Sequence, residues 1–284
     1  MLAPLAALLG MQAPTRRDAA TALVLLALVV WLCAGPADGF DQLERAWLVL
    51  LTASLVVVLA ATGLRGFVTS SLAAVAGAGG AAVVLATLTG LSWGKVIWLA
   101  ERHYGLQVSW LIGALAQAPG GPDLQTSLQG SLTYGVKVVS ALFPGLVLLQ
   151  SFAALALAWA LYHRVARRPQ GEPLVPLAAF RFNDHLIWGV AGSLLVLVLP
   201  RLGWINALGG NLLVFFSGLY VVRGVAVLWA AAAAGVIGGP VVIVTATLVT
   251  LFLMPVAALA ALALGLTDTL VDWRQRLARA VQKP

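Results

Sequence analysis

Long apolar runs broken by short polar stretches organise this chain. Residues 24–30, 56–61 and 230–237 hold no charged side chain. Alternation at period two, the mark of a half-buried strand or a barrel wall, is missing from these runs. A helical span of a bilayer needs about 20 apolar residues. The runs therefore read as spans at 19–34, 46–64, 67–88, 132–161, 186–202, 208–234 and 241–266. Pro144 predicts a kink in the fourth and Pro255 lies inside the seventh.

The segments between runs have characters of their own. Residues 35–45 form a polar loop holding Asp38, Asp41 and Glu44. Residues 93–116 place Trp93, Ile97, Ala100, Tyr104 and Leu111 near one helical face and Lys95, Glu101, Arg102 and His103 on others. With Trp93, Trp98 and Trp110 suited to headgroup depth, this stretch reads as an interfacial amphipathic helix, with a pore-lining span as the alternative. Turns follow at 118–123 and 238–240. A basic, proline-rich cytoplasmic-type loop at 163–185 separates a helical half at 1–162 from one at 186–284, within one membrane-embedded domain. The expected fold is an all-α polytopic transmembrane bundle of about seven spans, within six to eight.

Composition narrows the classes. Of 284 residues, 61% are hydrophobic and 10% charged, against about 45–50% and about 25% in soluble domains. Mean hydropathy is +0.99. A soluble globular protein and a disordered one are both excluded. The net charge of +7 comes from arginines flanking apolar runs, which fits anionic lipid; no nucleic-acid-binding pattern is present. Arg16 and Arg17 ahead of the first run, with a large Leu32 before Cys33, favour an uncleaved first span over a signal peptide. The localisation expected is a bacterial-type inner membrane, multi-pass. Seven spans put the arginine-bearing tail on the side opposite the other basic loops, a conflict with the positive-inside rule that an extra short span or a re-entrant segment would remove.

No zinc-binding His pair, nucleophile elbow or phosphate loop occurs, and one cysteine makes no intramolecular disulfide. No cofactor, metal or catalytic residue is expected. Three polar constellations remain. Phe180, Arg181, Phe182, Asn183, Asp184 and His185 precede the 186–202 span, where Asn183 or Asp184 would cap a helix and Arg181 and His185 would sit at lipid headgroups, or the group would form a polar mouth for a ligand or partner. Asn211, Tyr220 and Arg223 lie in the 208–234 span; a charge at that depth marks a functional candidate, unless Arg223 snorkels. Asp268, Asp272, Trp273, Arg274 and Arg276 close the last span, with Asp268, Asp272 and Arg276 forming a ladder at four-residue spacing. Gly77, between Ala73 and Ala81, marks close helix packing. Glu101 and Lys137 are lesser ligand candidates.

The stretches 176–199, 211–227 and 264–276 resemble the YybS-like family of predicted bacterial membrane proteins, most specifically in Gly218-Leu219-Tyr220 followed by Arg223-Gly224. Asn183-Asp184 departs from the Pro that many relatives carry there. The family is distantly similar to the S components of energy-coupling-factor transporters, which bind a micronutrient and dock on an ATP-driven module. That kinship implies a substrate-capturing subunit without its own ATPase. S components often carry Ala-x-x-x-Ala in their first span; here Ala20 is followed by Val24, and the spacing recurs at Ala154/Ala158 and Ala156/Ala160.

Three functional expectations follow. One is a non-catalytic scaffold or assembly subunit with membrane-protein partners or a homo-oligomeric state. Another is a transport subunit binding a small anionic ligand at Arg223, with Asn211 and Tyr220 as walls. The last is an intramembrane enzyme using Asp184 and His185. All three are in contact with membrane lipids.

Overall fold

The computed structural model describes residues 1–11, 15–63, 66–117, 121–199, 204–233, 253–274 and 276. Among them there are helices and no strands. The chain divides into two compact units, Met1–Leu174 and Val175–Pro284.

The first unit contains α1 (Leu2–Met11), α2 (Arg16–Cys33), α3 (Gly39–Thr62), α4 (Phe67–Thr89), α5 (Trp93–Ala116), α6 (Gly121–Ala141) and α7 (Phe143–Val165). Its core forms where apolar residues recur at helical spacing. Leu51, Leu55 and Leu59 of α3 are buried, as are Phe152, Leu155, Trp159 and Tyr162 of α7. The Phe67 ring of α4 lies 5.4 Å from Phe152 and 5.8 Å from Trp159. Two indole N–H groups find partners here: Trp47 Nε1 donates to Ser151 Oγ at 2.8 Å, and Trp159 Nε1 to the Glu172 carbonyl at 3.0 Å. A second cluster joins Phe40, Ala100 and Phe143, with the His103 ring stacked on Phe40 at 4.1 Å.

The second unit holds two 3₁₀ turns, Leu177–Ala179 and Asp184–Leu186, then α8 (Ile187–Val198), α9 (Trp204–Ala233) and α10 (Met254–Val271). At 30 residues, α9 is about 45 Å long, and its two halves serve different partners. A Cβ at Gly189 would meet the Phe216 ring, and one at Gly209 would meet Val196, so α8 runs antiparallel to the first half. A Cβ at Gly224 would strike the Ala261 carbonyl, and one at Gly265 the Tyr220 carbonyl, so α10 runs antiparallel to the second half in backbone contact.

Five helices are long and apolar enough to cross a membrane: α3, α4, α7, α9 and α10. With α2 and α8 they stand where the seven spans were expected. Three charges open α2. With 12 residues, α8 reaches only about 18 Å, short of the bilayer core. The fold is a helical membrane-type bundle.

Several boundaries differ from expectation. The fourth span is two helices: α6 ends at Ala141, α7 starts at Phe143, and Pro144 sits in the first turn of α7. Proline there replaces an N–H that has no partner anyway, so it begins a helix instead of kinking one. The polar loop at 35–45 is mostly helix, because Asp38 and Asp41 form a capping box that starts α3 at Gly39. No element was expected at 2–11, yet α1 buries Leu5, Leu8 and Leu9 against neighbours in α2, α3 and α7. Helix α5 has the bounds expected for the amphipathic segment. Of the 118–123 turn, residues 121–123 begin α6 and 118–120 lie outside the described residues. The turn at 238–240, the first half of the 241–266 span and the tail beyond 276 also lie outside them.

In α4 the buried face is Ser70, Ser71, Ala74, Val75 and Ala78, not the Ala73/Gly77/Ala81 row. Small residues surround this helix, so its pattern does not select one row. Gly77 nevertheless faces a neighbour: a Cβ there would meet Ser54 Oγ of α3.

The Asp38 cap carries a pH signature. The Asp41 N–H holds the Asp38 carboxylate below its ordinary value, with further help from the Phe40 N–H and the His103 and Arg102 charges, against some desolvation. A depressed carboxylate stabilises above its unfolded pKa, about 3.9, and the stabilisation is lost as pH falls through the folded value. We expect thermal unfolding of the protein in detergent to lose midpoint below about pH 4, and Asp38→Asn to flatten that part of the slope. Parallel wild-type and variant slopes would contradict it.

Candidate functional site

The polar constellations of the sequence converge in the second unit. The close α9–α10 crossing sets Arg223, two-thirds along α9, beside Asp268, one turn from the end of α10. Helical side chains lean toward their own N-terminus, so antiparallel helices aim these two at each other. Arg223 Nε donates to Asp268 Oδ2 at 2.9 Å and Nη1 to Asp184 Oδ1 at 2.6 Å. Arg274 Nη2 donates to the same Asp268 Oδ2 at 3.1 Å. Its Nη1 reaches the carbonyls of Phe180 at 2.7 Å and Ala178 at 3.3 Å. Arg181 pairs with Asp272 at the rim.

Burial is graded. The side chains of Asp268, Arg223 and Arg274 are 0%, 3% and 8% exposed, while that of Asp184 is 63% exposed. The network therefore runs from a surface carboxylate to a wholly buried one. Phe182 seals one side: the Arg223 guanidinium lies 5.3 Å from its ring centre, and Tyr220 meets it edge-on at 5.1 Å. Burial holds the Arg274 guanidinium below its ordinary value, while Asp268 pulls it back up; it stays charged at neutral pH. Asp268 Oδ1 and Arg274 Nε are buried without a hydrogen-bond partner among the described residues.

Four ion pairs occur among the described residues, and all four belong to this cluster. Three arginines face three aspartates, so the charges cancel. The network fastens the 177–186 segment onto the second half of α9 and the end of α10.

The expected site residues separate here. Arg223, Tyr220 and Asp184 are brought together. Asn211 is not: it lies 12 positions before Arg223 in α9, about 18 Å along the axis, where it is buried and bonds the Ala207 carbonyl at 2.8 Å. His185 is exposed, and its backbone N–H donates to Asn183 Oδ1 at 3.0 Å. Asn183 is thus the capping residue, and Asp184 Oδ1 accepts from Arg223. Arg223 is enclosed and paired; it does not snorkel.

The four-spaced ladder at the chain's end is also replaced. Helix α10 stops at Val271 because Asp272 turns left-handed, with φ 47°. Beyond that turn Asp272 faces Arg181, and Arg276 lies over the Trp273 ring at 5.9 Å. Trp273 Nε1 donates to Thr267 Oγ1 at 3.2 Å. The sequence reading placed Arg181 and Phe182 in the 180–185 constellation but not their partners: Arg181 pairs with Asp272, and Phe182 lies against Arg223 and Tyr220. Aromatic and charged residues alternating at 180–185 were the available signal, but their partners lie 39 to 91 positions away.

No group of three or more His, Cys, Asp or Glu side chains suited to a metal occurs among the described residues. The chain matches a family described as Predicted membrane protein (DUF2232) over residues 1–269. It matches no curated protein and no solved structure. It belongs to that family.

Proposed function

We propose that this DUF2232 member is a non-catalytic scaffold or assembly subunit of a membrane complex, in a bacterial-type inner membrane. One observation carries the reading: each charged side chain of the buried network is paired within the chain, though Asp268 Oδ1 and Arg274 Nε keep no partner among the described residues. Asp268 and Asp184 meet Arg223, and Asp268 and two carbonyls meet Arg274. A site built for a small anion keeps an arginine open to it. Here the arginine is enclosed, and its outer partner is a carboxylate of the same chain. Such a network holds a loop and two helices in one arrangement, which suits a surface presented to other membrane proteins. The YybS-like resemblance is compatible with this role. The S-component-like reading would need Asp184 to give way to substrate, and the enzyme reading would need Asp184 free to act with His185.

Affinity purification of the tagged chain in mild detergent, followed by mass spectrometry of proteins and small molecules, tests the proposal. We expect stable membrane-protein partners or self-association and no stoichiometric metabolite. A chain that elutes alone with a bound metabolite, or with an ATPase module, overturns it in favour of a transport subunit.

A further inference from the structure

The first unit carries a polar feature of its own, built from residues outside the arginine network. Glu101, Gly105 and Ser109 of α5 face Gln129, Thr133 and Val136 of α6 across a groove of about 400 Å³. That is within the range of small-molecule sites. Two observations define its chemistry.

First, the groove offers acceptors. Ser109 Oγ spends its proton on the Leu106 carbonyl at 2.8 Å, and Thr133 Oγ1 spends its own on the Gln129 carbonyl at 2.8 Å. Their lone pairs are what remain for a ligand. The Glu101 carboxylate is acceptor-only when ionised, and it is in none of the ion pairs among the described residues. A Cβ at Gly105 would meet nothing within 4 Å, so the wall between Glu101 and Ser109 is open. Ser109 lies two turns, about 12 Å, from Glu101 along α5, so the carboxylate and the Thr133 hydroxyl oxygen across the groove are what a positively charged N–H donor would meet at this end.

Second, a cation follows Glu101 directly along α5, outside the lining of the groove. Arg102 is exposed, with its guanidinium 5.6 Å from the centre of the Trp98 ring. Trp98 and Trp110 are 52% and 75% exposed, as residues at headgroup depth are. A carboxylate inside the groove beside an arginine outside it is complementary to a zwitterion with an ammonium at one end and a phosphate at the other.

We propose that the α5–α6 groove binds a primary ammonium group, with Glu101 as its counter-ion, and that an ethanolamine phospholipid headgroup supplies it, its phosphate toward Arg102. This goes beyond the scaffold reading and does not depend on it. The test is native mass spectrometry of the full chain, delipidated and then equilibrated with phosphatidylethanolamine or phosphatidylcholine. The choline headgroup has the same charges but no N–H.

Phosphatidylethanolamine should be retained in preference. Glu101→Gln should cut that retention about tenfold, the weight of one charge-assisted hydrogen bond. Val136→Trp, which fills the groove from α6 without touching a charge, should do the same and guards against a folding artefact at Glu101. Displacement of the lipid by free ethylamine, itself dependent on Glu101, would keep the ammonium site and assign it to a soluble amine. Equal retention of the two lipids, or retention unchanged in Glu101→Gln and Val136→Trp, overturns the proposal.

Discussion

Arg223→Ala is expected to destabilise the second unit strongly, whatever ligand is or is not present. Removing the guanidinium leaves Asp268 with only Arg274 for company and its Oδ1 still unpartnered, on a side chain with no exposure. Breaking a buried pair in this way costs about 3–5 kcal/mol, a large share of the roughly 5–15 kcal/mol that holds a domain together. The penalty comes from the charge left behind, not from the attraction lost. Removing Asp268 as well should bring no relief: Arg223→Met with Asp268→Leu strands the Arg274 guanidinium, 8% exposed, with carbonyls in place of its carboxylate, so it is expected to unfold no higher than Arg223→Ala. Asp184→Asn should cost less than either, because that carboxylate is 63% exposed and solvent takes its place. Thermal unfolding in detergent, with limited proteolysis of the 175–186 segment as a local probe, reads the order. A fully stable Arg223→Ala would show that the network is not what holds this unit.

The second large effect concerns glycine. Gly224→Ala and Gly265→Ala are each expected to push α9 and α10 apart, because the added Cβ would fall on a backbone carbonyl of the facing helix. Overpacking usually costs about 1–3 kcal/mol, and a collision with backbone belongs at the upper end, since no rotamer change relieves it. Gly192→Ala is the control: its Cβ meets nothing within 4 Å, so it should gain the roughly 0.5–1 kcal/mol that alanine gains over glycine inside a helix. Opposite signs at chemically identical substitutions separate packing from propensity. The separated helices should also lose the Arg223–Asp268 contact, so Gly265→Ala combined with Arg223→Ala should cost less than the sum of the two. Strict additivity would mean that the crossing and the ion pair are independent.

The sequence exposed what repeats and hid what meets. Apolar runs of span length located α3, α4, α7, α9 and α10, since a bilayer demands length and hydrophobicity from any crossing helix. Boundaries were harder. Asp38 looked like loop polarity and is a cap, and Pro144 looked like a kink and is a helix start. Each residue type has two uses, and only its position within the turn decides between them. Arg223 was legible as costly at its depth, whereas its partners were not. Asp268 looked bound to a local ladder, and the left-handed turn at Asp272 that frees it from one follows no glycine or asparagine signal. The α5–α6 groove was barely visible, because Glu101 and Thr133 become neighbours only once two helices pack antiparallel.

The placement of α1 has a bearing on how the protein is made. Leu5, Leu8 and Leu9 are buried, and α7 is one of the helices packed against α1. The ribosome finishes α1 about 130 residues before it starts α7, an interval of roughly 7–26 seconds at ordinary translation speeds. Throughout that time the leucines of α1 lack part of their final surroundings and must be held by lipid or by the insertion machinery. We expect the yield of folded protein to depend on the pace of synthesis between the two helices. Slow codons placed there would lengthen the wait and lower the yield while leaving every residue of the finished molecule unchanged.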